Sequence, residues 1–414
     1  MISDKVKFDD SVTGYRKVVA AQAIKSNQFV LIEPYVLVAV NETFVGKCCH
    51  LCLIELDSPK RCSACKFAHY CSQEHQLLDW KAGHKKECAL MPKFYQISNP
   101  TIDRMTLVML KIYVQIDMIK DGRFTNIFDR LKHNEDDKSM KMSMYRQVAR
   151  SFMTTAGISE PSSKIDQYAI YLDKFVTNAG NAPSTKSLGI HMAATLGDKA
   201  SWFNHSCQPN CLCVGEAGKG KVIATIGDVA AGDELTYAYV DLLQHVDARK
   251  SMLMALYKFE CKCAKCEREE NEQKVRRDVD IGKIGIYRDL SSKSKIVDYL
   301  RDMEKSIPPY DYAWVKVKGL VEAALYELGE AELHHDFSSK FTDKYQHWFG
   351  KNYMPLTIVK HYLQLSNTAH YLKKYKEAFK YVNLCLPVYE RGNDHESLHI
   401  LRVILQDCID HGCK

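Results

Sequence analysis

Asn204-His205-Ser206-Cys207-Gln208-Pro209-Asn210 is the stretch whose reading decides the fold. Taken one at a time its residues are ordinary: Asn204 suits a turn, and His205 suits a hydrogen-bonded structural position. Cys207 changes this, because three closely spaced thiols follow later in the chain as Cys261-x-Cys263-x2-Cys266. A lone thiol and a triplet together offer the four soft ligands of a tetrahedral zinc site. Two segments far apart in sequence are therefore expected to meet.

The same reasoning applies upstream. Of the 16 cysteines, seven lie between Cys48 and Cys88. Six of these, with two histidines, read Cys49-x2-Cys52, Cys62-x2-Cys65, Cys71-x3-His75 and His84-x3-Cys88. A Cys-x2-Cys knuckle wraps one ion, and x3 spacing brings two ligands to one helix face, so each pair is half a tetrahedron. Eight such ligands fill two sites, which with the third makes three structural Zn²⁺. The rival reading, thiols packed by chance in a core, must explain four correctly spaced pairs. Cys48, Cys211, Cys213, Cys385, Cys408 and Cys413 are left over and read as small buried hydrophobes, with Cys48 an alternative register for Cys49.

Zinc also corrects the charge. Ten thiolates and three Zn²⁺ lower the formal +6 to about +2. Residues 46–90 hold seven Lys/Arg against five Asp/Glu, which two metal sites bring near neutrality. Phosphate binding rests on uncompensated Lys/Arg, so nucleic acid is not an expected partner. Phe29–Val40, the longest apolar run, contains Glu33 and Pro34 and falls well short of the roughly 20 residues that cross a bilayer, so no membrane partner is expected. The first residues lack the apolar core of a secretory signal; a reducing compartment, cytoplasmic and nuclear, is expected, with thiols rather than disulfides.

A chain of 414 residues accommodates two to four packed units. Residues 5–47 alternate short apolar stretches with turns, the pattern of short strands. Residues 102–132 and 141–180 place apolar side chains at spacings of 3 and 4, a helical pattern, around the charged loop His133–Lys141. Residues 184–241 return to strands, with a glycine-rich hairpin loop after Val214. Strand material on both sides of an insert suggests one split domain. Glu267–Asp280 is almost wholly polar and marks a boundary. Beyond about residue 281 the pattern is helical: Leu365-x3-Ala369 with Tyr375-x2-Ala378-Phe379 resembles one tetratricopeptide helix pair, although ordinary helical packing would read alike.

Asn204–Asn210, joined to Glu234-Leu235-Thr236-Tyr237-Ala238-Tyr239 and to Phe259-Glu260-Cys261-Lys262-Cys263, resembles the SET-domain protein-lysine methyltransferases. The finger, with Arg61-Cys62-Ser63-Ala64-Cys65-Lys66-Phe67-Ala68-His69-Tyr70-Cys71, resembles the MYND type, and a MYND finger inserted into a SET domain resembles the SET and MYND domain (SMYD) family. The resemblance implies an α+β multidomain chain, its SET β-fold split by a MYND zinc finger and a helical insert and followed by a helical, tetratricopeptide-like C-terminal domain. The expected boundaries are 1–48 for the N-terminal SET part, 49–88 for the finger, 89–180 for the helical insert, 181–247 for the core SET domain, 248–270 for the post-SET zinc segment and 271–414 for the tail.

What the resemblance implies chemically is S-adenosylmethionine as methyl donor and lysine side chains of histone or non-histone proteins as acceptors. The family pattern assigns Asn204 and His205 to the donor, Asn181 to its amino-acid end, Phe259 to its adenine and Thr13-Gly14-Tyr15 to a turn beneath it. Asn178 competes with Asn181, since the stretch to Gly189 is one residue out of step with the family. Tyr239 takes the catalytic tyrosine's position, and Tyr257 that of an aromatic lining the lysine channel; both types also serve as core aromatics. His75 stands where the finger usually has cysteine, a change zinc accepts. The family's Gly-x-Gly turn reads here as Gly14-Tyr15-Arg16, so a bulky cation that would either hinder the donor or pair with its carboxylate replaces the second glycine. A monomer is expected, with proline-containing peptides as partners of the finger. The rival function is a catalytically weak scaffold that recruits proteins through finger and tail.

Overall fold

The computed structural model describes residues 1–12, 15–95, 102–133, 136, 138–159, 161–184, 191–275, 290–307, 309–311, 313–349, 356–391 and 395–413. They divide into two compact units, Met1–Val240 with Lys250–Cys261, and Asp241–Arg249 with Lys262–Lys414.

The first unit carries the strands. β1 (Val6–Val12) and β2 (Tyr15–Ala20) form an antiparallel pair. The apolar run from Phe29 yields two strands, β3 (Phe29–Glu33) and β4 (Leu37–Val40), because Pro34 cannot donate to a ladder and divides it. In the finger, β5 (Lys60–Arg61) pairs with β6 (His69–Tyr70). β7 (Gly180–Pro183) and β8 (His191–Leu196) continue the sheet that β4 begins, in the order β4-β8-β7. β9 (Asn204–His205) is followed by the hairpin β10 (Cys211–Glu216) and β11 (Gly220–Thr225), whose outer neighbour is β3. Gly220 is required there: its φ is +102°, and a Cβ would stand 2.0 Å from the Glu33 carbonyl oxygen. β12 (Thr236–Tyr237) closes the unit by pairing in parallel with β9.

Between β4 and β7 run the finger, with helices α1 (Gln73–Asp79) and α2 (Lys85–Leu90), and then α3 (Arg104–Tyr113), α4 (Gly122–Arg130), α5 (Met140–Ala156) and α6 (Ser162–Asn178). Side-chain caps start four of them: Ser72, Asp103, Asp121 and Ser139 accept from backbone N–H groups of the first turns of α1, α3, α4 and α5. Gly157, at φ 70°, ends α5 in the left-handed cap that glycine enters without strain. A π-helical stretch, Val114–Ile119, which apolar spacing does not foretell, continues α3.

Finger, insert and sheet share one core. Leu110 of α3, Phe152 of α5 and Leu172 of α6 are buried in the same cluster as Phe67 and Tyr70 of the finger and Leu37 and Leu196 of the sheet. Each such side chain contributes about 1.5–3 kcal/mol. A second core, with Val18, Leu31, Trp202, Phe203, Ile223 and Leu235, underlies β2, β3 and β11 and fixes the backbone that carries Asn204.

Among its described residues the second unit is built of helices: Ala264–Val275, Lys293–Ser306, Ala313–Glu327, Ala331–Phe349, Leu356–Tyr371, Tyr375–Arg391 and His395–Asp410. The helix pair read around Leu365 and Phe379 is present, with Leu365, Ala369 and Ala378 fully buried at its contact. Pro387, read as punctuation, lies inside Tyr375–Arg391 one turn from its end, where the missing N–H removes a single bond.

Candidate functional site

Three segments of the first unit are stitched together around Asn204. Its Nδ2 donates to the Arg16 carbonyl of β2 and to Glu234 Oε1, both at 2.7 Å. Asn210 holds the same strand from the other side: its Nδ2 donates to the Glu234 carbonyl at 2.8 Å, and its Oδ1 accepts from Thr236 N–H at 2.9 Å. The two asparagines that bound the motif are therefore clamps on the segment leading to Tyr239. That role explains residues which singly would read as turn formers.

Aromatic rings converge there. The Tyr239 ring centroid lies 4.8 Å from Tyr257, 5.1 Å from Tyr237 and 5.4 Å from His205, and Phe259 lies 6.0 Å from His205. The Tyr239 hydroxyl donates to the Phe203 carbonyl at 2.6 Å, which fixes the ring. Burial, then the neighbouring Tyr257, pushes the Tyr239 hydroxyl well above its ordinary value, so it stays protonated at neutral pH. His205 Nδ1 accepts from Tyr239 N–H at 2.9 Å, which leaves its proton on Nε2, 3.2 Å from Cys207 Sγ. The aromatic group is thus tied through one imidazole to a zinc-ligand thiol.

All twelve ligand candidates assemble in three groups whose ligand atoms lie within 4.8 Å of one another: Cys49, Cys52, Cys71 and His75; Cys62, Cys65, His84 and Cys88; and Cys207, Cys261, Cys263 and Cys266. The finger's pairs interleave, first with third and second with fourth. Cys52 and Cys71 sulfurs are 3.8 Å apart, and Cys62 and Cys88 sulfurs 3.7 Å. Ligands held at about 2.3 Å on a tetrahedral ion stand about 3.8 Å apart, so the thiols already have the edge lengths of zinc sites. Four protein ligands apiece leave no open position, which makes the ions structural. Cys48 is excluded from them; it is buried beside Phe44 in a separate apolar cluster.

Two ligand-supporting residues escaped the sequence reading. Glu87 Oε2 lies 3.8 Å from His84 Nδ1 and 3.0 Å from Lys111 Nζ of α3, with both acidic and imidazole groups nearly fully buried. Burial would raise the Glu87 carboxyl, but the Lys111 ammonium beside it holds it below the ordinary carboxylate range. A carboxylate three residues after a ligand histidine was the available signal; Lys111 gave none.

Other expected residues fall differently. Thr13 and Gly14 lie outside the described residues, and Tyr15 opens β2. Arg16 follows Tyr15 along β2. Asn178 Nδ2 donates to the Lys132 and Lys174 carbonyls at 3.0 and 2.7 Å and is spent on backbone. Asn181 is exposed on β7, opposite Ala194, in a different sheet from the β9–β12 pair that carries His205.

The family model for the SET domain matches residues 15–240, and the chain belongs to that family. The relatives it resembles are SMYD proteins. Histone-lysine N-methyltransferase Smyd1 of Mus musculus is 24% identical over 245 residues, covering 55% of this chain and 49% of its own, so the match spans about half of that relative. Histone-lysine N-methyltransferase SMYD3 of Mus musculus is 22% identical over 390 residues and 88% of each chain. SET domain and MYND-type zinc finger protein 6 of Schizosaccharomyces pombe is 23% identical over 267 residues, 62% of this chain and 51% of its own. Among solved structures, the SET domain of LSMT bound to lysine and AdoHcy covers 99% of this chain and 88% of its own at a TM-score of 0.34 and 12% identity, too slight a likeness to argue from.

Proposed function

We propose that the protein is an S-adenosylmethionine-dependent protein-lysine N-methyltransferase acting on histone or non-histone proteins. The observation that carries this reading is the convergence of His205, Tyr237, Tyr239, Tyr257 and Phe259 on the clamped Asn204-His205 strand. When bound, S-adenosylmethionine supplies a methyl group on a sulfonium, from which sulfur leaves as a neutral thioether. Aromatic faces attract such a cation without hydrogen-bonding it, and Phe259 and His205 offer an edge for a nucleobase. Tyr239, fixed by its bond to Phe203, leaves oxygen lone pairs to orient the N–H of an incoming lysine amine. The surrounding rings exclude water, which favours the neutral, nucleophilic amine over the ammonium. Positioning of this kind contributes about 7–11 kcal/mol when the geometry is ideal. The zinc ions hold backbone and take no step.

The finger has a separate part in this reading: Leu77 and Leu78 of α1 are about half exposed and offer an apolar seat to a proline-containing peptide. Titration of S-adenosylmethionine into the zinc-loaded chain separates the enzyme from a scaffold. Saturable binding at one site is expected, and its absence at millimolar donor would leave only the scaffold.

A further inference from the structure

The helix His395–Asp410 ends in a cap that sets two thiols against each other. Gly412, at φ 85°, takes the left-handed conformation just past the helix. Its N–H donates to the Ile409 carbonyl at 2.9 Å, and the next N–H, that of Cys413, reaches back to the Cys408 carbonyl at 3.0 Å. In a helix end closed by these two bonds, the residue beyond the glycine packs its side chain on the residue that accepts the longer-range bond. The same arrangement ends α5, where Gly157 and Ile158 donate to Thr154 and Met153 at 3.1 and 2.9 Å. There the packed pair, Ile158 and Met153, is apolar. At the end of His395–Asp410 it is Cys413 and Cys408.

A disulfide needs its two Cα atoms about 4.4–6.8 Å apart, with the Cβ atoms directed toward one another. A carbonyl oxygen stands about 2.4 Å from its own Cα and an amide nitrogen about 1.5 Å from its own. The 3.0 Å bond between Cys413 N–H and the Cys408 carbonyl therefore holds the two Cα atoms near the top of that window at most, and the bends at carbonyl and amide bring them inside it. Cys408 is 0% and Cys413 9% exposed. Burial, then the charge of Cys413, raises the Cys408 thiol above its ordinary value, so each thiol feels the other. Neither belongs to a zinc-ligand group. Two small thiols bury less apolar surface than the methionine and isoleucine at the end of α5, and add what that pair lacks, a covalent bond that can close between them.

We propose that Cys408 and Cys413 form a reversible dithiol–disulfide pair that exchanges with glutathione. The more exposed Cys413 thiolate attacks one sulfur of glutathione disulfide, whose S–S bond breaks and releases one glutathione. The Cys408 thiolate then attacks the Cys413 sulfur of this mixed disulfide and the second glutathione leaves. Two protein thiols are oxidised, one glutathione disulfide is reduced, and the two protein protons end on the two glutathione thiols. Access to Cys408 requires only the last helical turn to open, a low-cost local event. Closure fixes the turn that carries Asp407, whose Oδ2 lies 2.6 Å from His370 Nε2 on Leu356–Tyr371, and His411, whose ring stacks on Tyr375 at 3.9 Å. Oxidation thereby stiffens the junction of the last three helices, whatever chemistry the first unit performs.

The test equilibrates the full, zinc-loaded chain in glutathione buffers of graded thiol-to-disulfide ratio, quenches with acid and alkylates the remaining thiols. Trypsin cuts after Arg402, so residues 403–414 leave as one peptide that carries both cysteines. Mass spectrometry should find this peptide unalkylated and two hydrogens lighter than the dithiol, at ratios where the buried, single Cys385 is still a free thiol and zinc content is unchanged. Gly412→Ala adds a Cβ that meets nothing within 4 Å, so it tests the turn without a clash. It should need a ratio about tenfold more oxidising, because the closed bond enforces a left-handed turn that alanine resists. Glutathione adducts on Cys413 with no internal bond at any ratio would overturn the proposal. So would an internal bond that appears only as zinc is lost or in urea, or a midpoint that Gly412→Ala leaves unmoved.

Discussion

Replacing Lys111 by methionine removes one charge from the wall between the finger and the helical insert while keeping an apolar stem of similar length. Lys111 Nζ is 3.0 Å from Glu87 Oε2, and the two side chains are 16% and 4% exposed. At that distance and an effective dielectric of about 20, the gross attraction is about 5–6 kcal/mol. The loss does not end there, because Glu87 and the partly buried Asp79, whose charges both act on Lys111, lose the cation they share. Breaking a buried pair from one side costs about 3–5 kcal/mol. The same change frees the imidazole of His84, so the second finger zinc should be released at lower urea than the rest of the chain unfolds. Urea unfolding followed by tryptophan fluorescence, with released zinc captured by a coloured chelator, measures both. Glu87→Gln combined with Lys111→Met should recover most of the stability lost in Lys111→Met alone. A loss under about 1 kcal/mol in the single variant, or no coupling in the double, would show that the pair does not support the site.

The purified chain should carry three zinc ions by metal analysis and Cys263→Ala two, because each tetrahedron is closed by its own four ligands; two ions in both would remove the third site. Gly220→Ala should destabilise by at least about 2 kcal/mol, since a Cβ meets the Glu33 carbonyl and φ is positive; thermal unfolding within error of wild type would contradict this. His361 is 1% exposed, and burial, then the charges of Lys318 and His334, keep its pKa well below 6.5. The unfolded chain therefore binds a proton that the folded one refuses, so stability is full above about pH 6.5 and falls as pH drops. Protection against hydrogen exchange in Leu356–Tyr371, corrected for the intrinsic rate, should fall in acid, and His361→Leu should flatten that slope.

The zinc ligands were legible because metal coordination depends on residue type and short spacing, both of which sequence preserves. The aromatic group was legible only through resemblance. Tyr239 and Tyr257 lie far from His205 in sequence; the parallel pairing of β9 with β12 brings Tyr239 to it, and Tyr257 arrives at the end of the helix Val246–Tyr257. The strand break at Pro34 follows from a residue that cannot donate, yet a continuous apolar run hides it. Glu87 and Lys111 illustrate what sequence does not carry: their partnership depends on where α3 packs against the finger, a tertiary fact with no local pattern. Arg16 was read as part of a turn because a glycine motif was sought there, whereas backbone hydrogen bonding places it in β2.

Tyr239 is proposed to serve transfer of a methyl group to lysine. Its most direct test is mass spectrometry of histones and of a protein mixture incubated with S-adenosylmethionine and either the wild-type chain, Tyr239→Phe or Tyr237→Phe. Only a hydroxyl is removed in each variant, so packing is retained. Methylated lysines are expected with the wild-type chain, with a loss of about a hundredfold or more in rate for Tyr239→Phe at donor affinity within about tenfold, and a smaller effect for Tyr237→Phe. Wild-type rates in Tyr239→Phe, or methylation abolished by Tyr237→Phe alone, would contradict it.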